Sequence, residues 1–248
     1  MRKEESRWIG DFLESVDVSK ISPLLNLGSS SAAFRKITQP HIYDNIFRNL
    51  EKRGCVVLHQ DLKDVEGVDI VGNIMDGNIQ KNLVDSGIRS IICTNLLEHV
   101  TEPEKIISIC LEVIPVGGIL VISVPYSYPY HPDPIDTLYR PSVQELKGFL
   151  LQRGCEVLAS SNIRSSSLWM DMRESPQVGL KLLVRILCPF VGLRPWIGAL
   201  HRLRWLFKCY EVSCVVCQKT QRTFSAPLEK GNTNGSKSYS LHKGGAVK

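Results

Sequence analysis

The sequence predicts a doubly wound α/β fold, in which helices cover both faces of a mostly parallel sheet. The first observation is that short apolar strands alternate with blocks of helical periodicity along most of the chain. The second is that the first apolar run, residues 24–27, stops abruptly at Gly28 and a run of small side chains. A buried parallel strand that leads into such a turn is typical of nucleotide-binding α/β folds.

The turn after the first strand is the first candidate ligand contact. Gly28 can adopt the positive φ that a tight turn needs, and it lets a ligand approach the backbone. Ser30 and Ala32 are small and stand at the later positions of a Gly-x-Gly-x-Gly loop. The alternative is an ordinary strand-to-helix turn, because small residues are common there.

Further strands follow at spacings typical of βαβ units. Asp61 comes just after the second strand, where an acidic side chain can accept hydrogen bonds from both hydroxyls of a ribose. The alternative for Asp61 is a solvated loop carboxylate. The stretch from Asp61 to Val68 is too short for an intervening helix. Capping boxes are predicted at Thr101–Glu104 and Ser142–Glu145. The predicted later strands are 55–59, 68–74, 90–93, 118–125 and 210–217.

Three motifs in this order resemble those of S-adenosylmethionine-dependent methyltransferases, in particular the type-eleven methyltransferase domains. Residues 97–100 read Leu-Glu-His-Val, as in the Leu-Glu-His motif of that branch. Residues 72–74 read Gly-Asn-Ile where the family has Gly-Asp and a small or apolar residue, and 116–120 resemble its Pro-Gly-Gly-x-Leu motif. The resemblance covers about residues 22–162 and returns at the last strand.

The resemblance implies a Rossmann-like, mostly parallel seven-stranded sheet with S-adenosylmethionine as cofactor. It implies that Gly28, Ser29 and Ser30 contact the methionine end. It also implies that Asp61 contacts the ribose and Asn73 the adenine, since an asparagine carbonyl can accept a hydrogen bond from an adenine amino group. The sequence departs from the family pattern at Asn26, Ser30, Ala32, Asn73 and Val116. The expected cofactor contacts are Gly28, Ser29, Ser30, Asp61, Asn73, Ile74 and Asn95.

The loop after the fifth strand, residues 125–140, is the candidate acceptor-binding loop. Ligands bind beyond the carboxyl ends of the strands in open α/β sheets, and this loop is dense in Tyr, Pro and ionisable residues. His131 is the first candidate for a general base, because the ordinary pKa of histidine lies near neutrality. Asp133 or Asp136 could orient it, and His99 is the second candidate. Alternatively, the tyrosines only pack and His131 caps a turn.

The charge is distributed unevenly along the chain. Residues 1–162 carry 16 Lys and Arg against 21 Asp and Glu, whereas 163–209 carry eight against two and 219–248 carry six against one. We therefore expect a methyltransferase domain at 1–218, with a basic and apolar insertion at about 163–209, and a disordered basic tail at 219–248. The insertion suits either a helix at a lipid surface or a lid over the substrate pocket. An acidic core does not favour nucleic-acid binding.

The cysteines and the N-terminus indicate a cytoplasmic protein, with membrane association through 163–209 as an open alternative. Most of the eight cysteines lie in apolar segments, as expected for buried thiols in a reducing compartment. Cys214 and Cys217 are three apart on a predicted strand and therefore point to opposite faces, so we expect no metal site there or elsewhere. Charged residues near the N-terminus leave no room for a signal peptide.

The predicted activity is methyl transfer from S-adenosylmethionine to a small-molecule, glycan or lipid-like acceptor. One alternative is a non-catalytic cofactor-binding protein on the same scaffold, because the glycine loop is reduced. Another is an oxidoreductase, which is disfavoured because the Gly28 loop lacks the glycine set of dinucleotide sites. The sequence identifies neither the acceptor nor the oligomeric state.

Overall fold

The computed structural model describes residues 1–131, 135–187 and 193–220, and a seven-stranded sheet forms its centre. The strands are β1 (Leu24–Leu27), β2 (Val57–Asp61), β3 (Ile70–Val71), β4 (Ser90–Thr94), β5 (Ile119–Ser127), β6 (Cys155–Ser167) and β7 (Cys209–Lys219). Their order across the sheet is β3-β2-β1-β4-β5-β7-β6. The first five strands pair in parallel, whereas β7 is antiparallel to both β5 and β6. The sheet is therefore mixed, and the mostly parallel prediction holds except for the reversed β7.

The predicted alternation of strands and helices is present. Two π-helical turns, Phe34–Thr38 and Tyr43–Phe47, flank α3, and 3-10 turns lie at Leu97–His99 and Leu203–Trp205. The helices are α1 (Lys3–Ser15), α2 (Val18–Ile21), α3 (Pro40–Ile42), α4 (Arg48–Lys52), α5 (Gly77–Asp85), α6 (Pro103–Val113), α7 (Val143–Leu151), α8 (Leu168–Glu174), α9 (Pro176–Leu187) and α10 (Leu193–Arg202).

The two faces of the sheet are covered by different helices. Alternate residues of a strand point to opposite faces, so Leu25 and Leu24 of β1 belong to different hydrophobic clusters. The Leu25 cluster contains side chains of α5, α6 and α7, and the Leu24 cluster contains those of α1 to α4. Helices thus lie on both faces, as predicted.

The second and third strands differ from their predicted bounds. β2 begins two residues later than predicted and ends at Asp61, which is therefore its last residue. β3 is much shorter than the predicted strand at 68–74, because it is an edge strand that pairs only with Gln60 and Asp61. No helix lies between β2 and β3, as the short spacing predicted.

One predicted capping box is present and the other is absent. Ser142 and Glu145 hydrogen-bond reciprocally at the start of α7. The box predicted at Thr101 is wrong, because α6 begins at Pro103 and Glu102 is its N-cap without a side-chain hydrogen bond. Proline is favoured at the first helical position, and this shifts the helix start by one residue.

The final two strands differ from the predicted ones, because no strand was predicted at β6 and β7 is longer than the predicted 210–217. β6 continues to Ser167, so the segment between β6 and β7 begins at Leu168 and not at 163. β7 extends to Lys219, whose Nζ donates to the carbonyls of Leu111 and Ile114. Lys219 therefore belongs to the domain and not to the tail, and residues 221–248 lie outside the described residues. No helix in the described ranges is long and apolar enough to cross a membrane.

Helix α1 packs directly on the π-helical turn at Tyr43–Phe47. Its Ile9 and Leu13 are fully buried. Gly10 lies between them, and a Cβ at this position would overlap the carbonyl oxygen of Asn45. This close approach fixes α1 against the sheet and holds the N-terminal residues beside the loops that follow β1 and β4.

We expect Gly10→Ala to lower the free energy of unfolding by about 1–3 kcal/mol, the usual cost of overpacking a core. Gly148→Ala is the matched control, because Gly148 lies within α7 and its Cβ would meet no atom within 4 Å. That change should be neutral or stabilise by up to about 1 kcal/mol through helix propensity. Urea denaturation of both variants measures the difference, and equal stabilities would show that α1 does not pack closely.

Candidate functional site

A cavity of about 740 Å³ opens beyond the carboxyl ends of the parallel strands. This is the edge at which open α/β sheets bind ligands. Asp133 lies outside the described residues, and Asp136 contacts His131 without lining the cavity, whereas nine other residues predicted for the site do line it. These residues are Gly28, Ser29, Ser30, Asp61, Asn73, Ile74, Asn95, His99 and His131. Their roles toward a ligand stay predictions.

The loop after β1 has the conformation that the small residues predicted. Gly28 has φ +70°, and a Cβ there would lie 3.1 Å from the side chain of Leu96. Ser30 also has positive φ, at +56°, although it is not glycine. Such backbone persists in a non-glycine residue only when its surroundings hold it.

Asp61 is one of the groups that hold this loop. Its Oδ2 accepts a hydrogen bond from the backbone N–H of Ser30 at 2.7 Å, and its Oδ1 accepts one from Lys63 N–H at 3.0 Å. A carboxylate has about four lone-pair sites, so both oxygens can accept further bonds. Asp61 thus connects β2 to the loop and still presents acceptors to the cavity.

Arg35 is a functional candidate that the sequence analysis missed. Its buried guanidinium donates to the carbonyls of Ser29 and Ser30 at 2.9 and 2.6 Å, and to Gly67 at 2.7 Å. Burial lowers the pKa of Arg35, while Asp69 and Asp61 oppose that change. Its partners are backbone groups of two separate loops, so no sequence pattern could identify them.

Asn73 and Asn26 are both committed to local contacts. The Oδ1 of Asn73 accepts from the backbone N–H of Met75 at 2.9 Å, which orients the side-chain amide. The Nδ2 of Asn26 lies 3.1 Å from Nδ1 of His59. Burial, followed by the nearby Arg35, lowers the pKa of His59 to about 4. Asn26 therefore donates to a neutral imidazole, which an acidic residue at this position could not do.

Asn95 is held by a second residue that the sequence analysis missed. Glu5 of α1 is fully buried, and its Oε1 accepts from Asn95 Nδ2 at 2.7 Å and from Ser123 Oγ at 2.5 Å. Its Oε2 accepts from the backbone N–H of Arg2 at 3.0 Å. Asn95 has φ +50°, so this hydrogen bond supports a strained backbone at the end of β4.

A cluster of ionisable side chains lies at the other end of the cavity. Glu98 is fully buried, and neither of its oxygens has a hydrogen-bond partner within the described ranges. Burial raises the pKa of Glu98 to about 7. Its Oε1 lies 3.7 Å from Nε2 of His99 and 3.9 Å from Nε2 of His131. Glu98 belongs to the Leu-Glu-His motif, but the motif gave no indication of this burial.

His131 is held by the loop in which it was predicted to act. Its backbone N–H donates to Asp136 Oδ2 at 3.0 Å, and its ring packs edge-on against Tyr128. Burial lowers the pKa of His131, so the ring is neutral near pH 7. Asp136 is also bound by Arg140 at 2.6 Å. Burial raises the pKa of Asp136, but these hydrogen bonds outweigh it and keep the pKa below its ordinary value.

The segment between β6 and β7 is attached to the N-terminus. Arg2 lines the cavity and binds both carboxylate oxygens of Asp171 in α8, at 2.7 and 3.1 Å. Its guanidinium also lies over the ring of Tyr210, 4.8 Å from the centroid. No described residue of 163–209 lines the 740 Å³ cavity, so no direct contact in the described part of the chain supports the interpretation of this segment as a lid.

Comparison with known proteins gives similarity in structure only. Neither a protein-family model nor a curated protein matches the sequence. Coclaurine N-methyltransferase bound to N-methylheliamine and S-adenosylhomocysteine superposes with a TM-score of 0.53 at 15% identity, covering 85% of this chain and 71% of that one. A structure assigned as a sarcosine dimethylglycine methyltransferase from Galdieria sulphuraria gives 0.51 at 11% identity, covering 89% and 85%.

The fold does not by itself decide the reaction. The [4+2]-cyclase SpnF is similar to the same extent, with a TM-score of 0.52, 13% identity and coverage of 86% of this chain and 80% of that one. At these identities the similarity establishes the architecture alone. The chain has the Rossmann-like fold of S-adenosylmethionine-dependent methyltransferases.

Proposed function

We propose that this protein transfers a methyl group from S-adenosylmethionine to a nucleophilic acceptor. The proposal rests on one observation: the Gly28 turn, the Asp61 carboxylate and Asn73 all line the same cavity. In this arrangement the methionine end lies at the Gly28 loop, the ribose at Asp61 and the adenine between Asn73 and Ile74. The structural likeness to methyltransferases supports the choice of cofactor.

Methyl transfer from a sulfonium is an in-line displacement. A bond forms between the acceptor atom and the methyl carbon while the carbon–sulfur bond breaks, and its electron pair stays on sulfur. The protein mainly aligns the two reactants and excludes water. An oxygen acceptor must also lose a proton, and the Glu98, His99 and His131 cluster is the group best placed to promote that loss.

Two other functions stay open as alternatives. A non-catalytic cofactor-binding protein would use the same Gly28 loop and Asp61 without an acceptor reaction. The second alternative is a cyclisation reaction, since the structurally similar SpnF is named as a cyclase. The buried ionisable cluster beside the cavity favours chemistry at an acceptor over binding alone.

We infer a lipid or lipid-linked acceptor from the surface of the segment between β6 and β7. Leu180, Leu187 and Phe207 are 61%, 68% and 78% exposed, respectively, and further large apolar side chains of the same segment are exposed beside them, among them Leu183, Val184 and Ile197. Such a concentration of exposed apolar side chains is typical of an interaction surface. Basic side chains share this surface, as in helices that lie at the membrane interface. They are Lys181, Arg185, Arg202, Arg204 and Lys208.

The first test of the proposal is cofactor binding. We expect S-adenosylhomocysteine to bind and NAD not to bind in a calorimetric titration. Asp61→Ala should weaken S-adenosylhomocysteine by about 1–3 kcal/mol, the scale of hydrogen bonds to a charged group. Asp64→Ala is the control, because Asp64 is an exposed carboxylate of the same loop and does not line the cavity. Tight NAD binding would refute the proposed cofactor.

The second test concerns the acceptor end. His131→Ala should lower turnover by about 100-fold or more, the usual contribution of a group that assists proton transfer. Affinity for S-adenosylhomocysteine should stay nearly unchanged, because His131 follows β5 whereas Asp61 ends β2, and two strands lie between β2 and β5 in the sheet. His201→Ala, in α10, is the control histidine and should keep full turnover. Screening lipid-linked and glycan precursors must first supply an acceptor, and full turnover in His131→Ala would leave His131 with a structural role.

The third test addresses the lipid surface. The protein should cosediment with vesicles rich in anionic lipid at low salt, and less at high salt, because screening weakens the attraction of the basic residues. Replacing Arg202, Arg204 and Lys208 with glutamine should release it. Replacing Lys20, Lys52 and Lys81 with glutamine removes the same amount of charge from exposed positions outside this segment, and it should not release the protein from the vesicles. Equal release by both triple variants would indicate net charge alone, and absence of sedimentation would exclude the lipid contact.

A further inference from the structure

The side chains of Glu98, His99 and His131 present three lone-pair atoms to one another. These atoms are Oε1 of Glu98 and Nε2 of each histidine, and the ligand atoms of all three residues lie within 4.8 Å of one another. The separations of 3.7 and 3.9 Å from Oε1 are too long for hydrogen bonds. The two rings meet edge to face, with centroids 5.2 Å apart.

The backbone fixes which nitrogen of each histidine carries hydrogen. Nδ1 of His99 lies 2.5 Å from the carbonyl oxygen of Ile135, and Nδ1 of His131 lies 3.1 Å from that of Pro129. A carbonyl can only accept, so each Nδ1 is the donor, and Nε2 is the nitrogen of each ring that can offer a lone pair to a ligand. Histidines that bind metals are oriented in this way, with the other ring nitrogen donating to a carbonyl or carboxylate.

Glu98 completes the set from a fully buried position. Neither of its oxygens accepts a hydrogen bond within the described residues, although burying an unpartnered carboxylate is costly. The charges of His99 and Arg140 favour the ionised form of Glu98, but burial outweighs them. The Arg140 guanidinium donates to Asp136 and to the carbonyl of Tyr139, so among the described residues no positively charged group makes a hydrogen bond to Glu98.

We propose that Glu98, His99 and His131 bind one divalent first-row transition-metal ion such as Zn²⁺. Two imidazoles and one carboxylate suit such ions, whereas Mg²⁺ and Ca²⁺ prefer oxygen ligands. Ligand distances of about 2.0–2.2 Å require the three side chains to close by only a fraction of an ångström each. This proposal replaces the sequence-based expectation that the chain holds no metal.

The site would act on the acceptor. His99 and His131 line the cavity, and three protein ligands would leave the ion a coordination position for a further group. This inference rests on the proposed function and specifies its acceptor. The acceptor would be a hydroxyl group whose oxygen coordinates the ion, and the ion would lower the pKa of that hydroxyl so that its proton passes more readily to solvent. His131 would then be a ligand, and the ion would take over the proton-releasing role first assigned to the histidine as a base.

To test this, the full chain is freed of metal with EDTA and titrated with Co²⁺. Visible absorption spectroscopy follows binding, and elemental analysis gives the amount of metal bound. One equivalent of Co²⁺ should bind with visible absorption, Zn²⁺ should displace it, and Mg²⁺ should not. Glu98→Gln, His99→Ala and His131→Ala should each weaken Co²⁺ by more than the roughly 10- to 100-fold cost of losing a supporting contact. His201→Ala should bind as the unaltered chain does. Absence of stoichiometric binding, or binding retained in the three variants, would overturn the proposal.

Thermal melting gives a second readout that also reports folding. Without metal, Glu98→Gln should melt at a higher temperature than the unaltered chain, because it removes an unpartnered buried charge. Zn²⁺ should raise the melting temperature of the unaltered chain and not that of the variant. A variant that melts lower without metal and still responds to Zn²⁺ would contradict the assignment. S-adenosylhomocysteine binding in the same EDTA-treated samples separates failure of this site from failure of the proposed cofactor.

Discussion

The buried guanidinium of Arg35 is the constraint on which the cofactor end of the cavity depends. It binds the carbonyls of Ser29, Ser30 and Gly67, and so joins the loop after β1 to the loop between β2 and β3. Asp61, the last residue of β2, accepts from the N–H of Ser30 and so joins β2 to the loop after β1. Hydrogen bonds from a charged donor are stronger than neutral ones, so this clamp can hold Ser30 at a positive φ that glycine would adopt unaided.

This clamp offers a physical account of the reduced glycine loop. A loop with three glycines adopts its turns without side-chain support, whereas this loop has one glycine followed by serines and alanines. Here, hydrogen bonds from Arg35 and to Asp61 hold the loop in a conformation that glycines would adopt through their own flexibility. Ala32 also contributes, because its backbone N–H donates to Glu66 and a Cβ on Gly67 would overlap it. The small side chain at residue 32 therefore serves packing between the two loops.

The sequence predicted six of the seven strands and most of the candidate residues that line the cavity, because both depend on local pattern, whereas β6 was not predicted. Apolar runs identify buried strands, and the carboxyl ends of parallel strands meet at one edge, so Gly28, Asp61 and His99 could be placed together before any coordinates. Glu5 could not be predicted, since its partners Asn95 and Ser123 are about 90 residues or more away along the chain. The environment of Glu98 depends on which side chains fail to reach it, and no local pattern records that.

Different contacts hold the residues on the two sides of the cavity. Backbone hydrogen bonds and the Arg35 guanidinium hold the loop after β1, whereas Glu5 of α1 holds Asn95, and the contact of Arg2 with Asp171 ties the segment between β6 and β7 to the N-terminus. Glu98, His99 and His131 lie on this second side.

A crystal structure with S-adenosylhomocysteine is the most direct test of this account. The account predicts the adenosine beyond β2 and β3, both ribose hydroxyls within hydrogen-bond distance of Asp61, and the Arg35 contacts retained. It also predicts the sulfur of the ligand directed toward the side of the cavity that holds His131. A ligand bound elsewhere, or an Asp61 carboxylate turned away from the ribose, would contradict it.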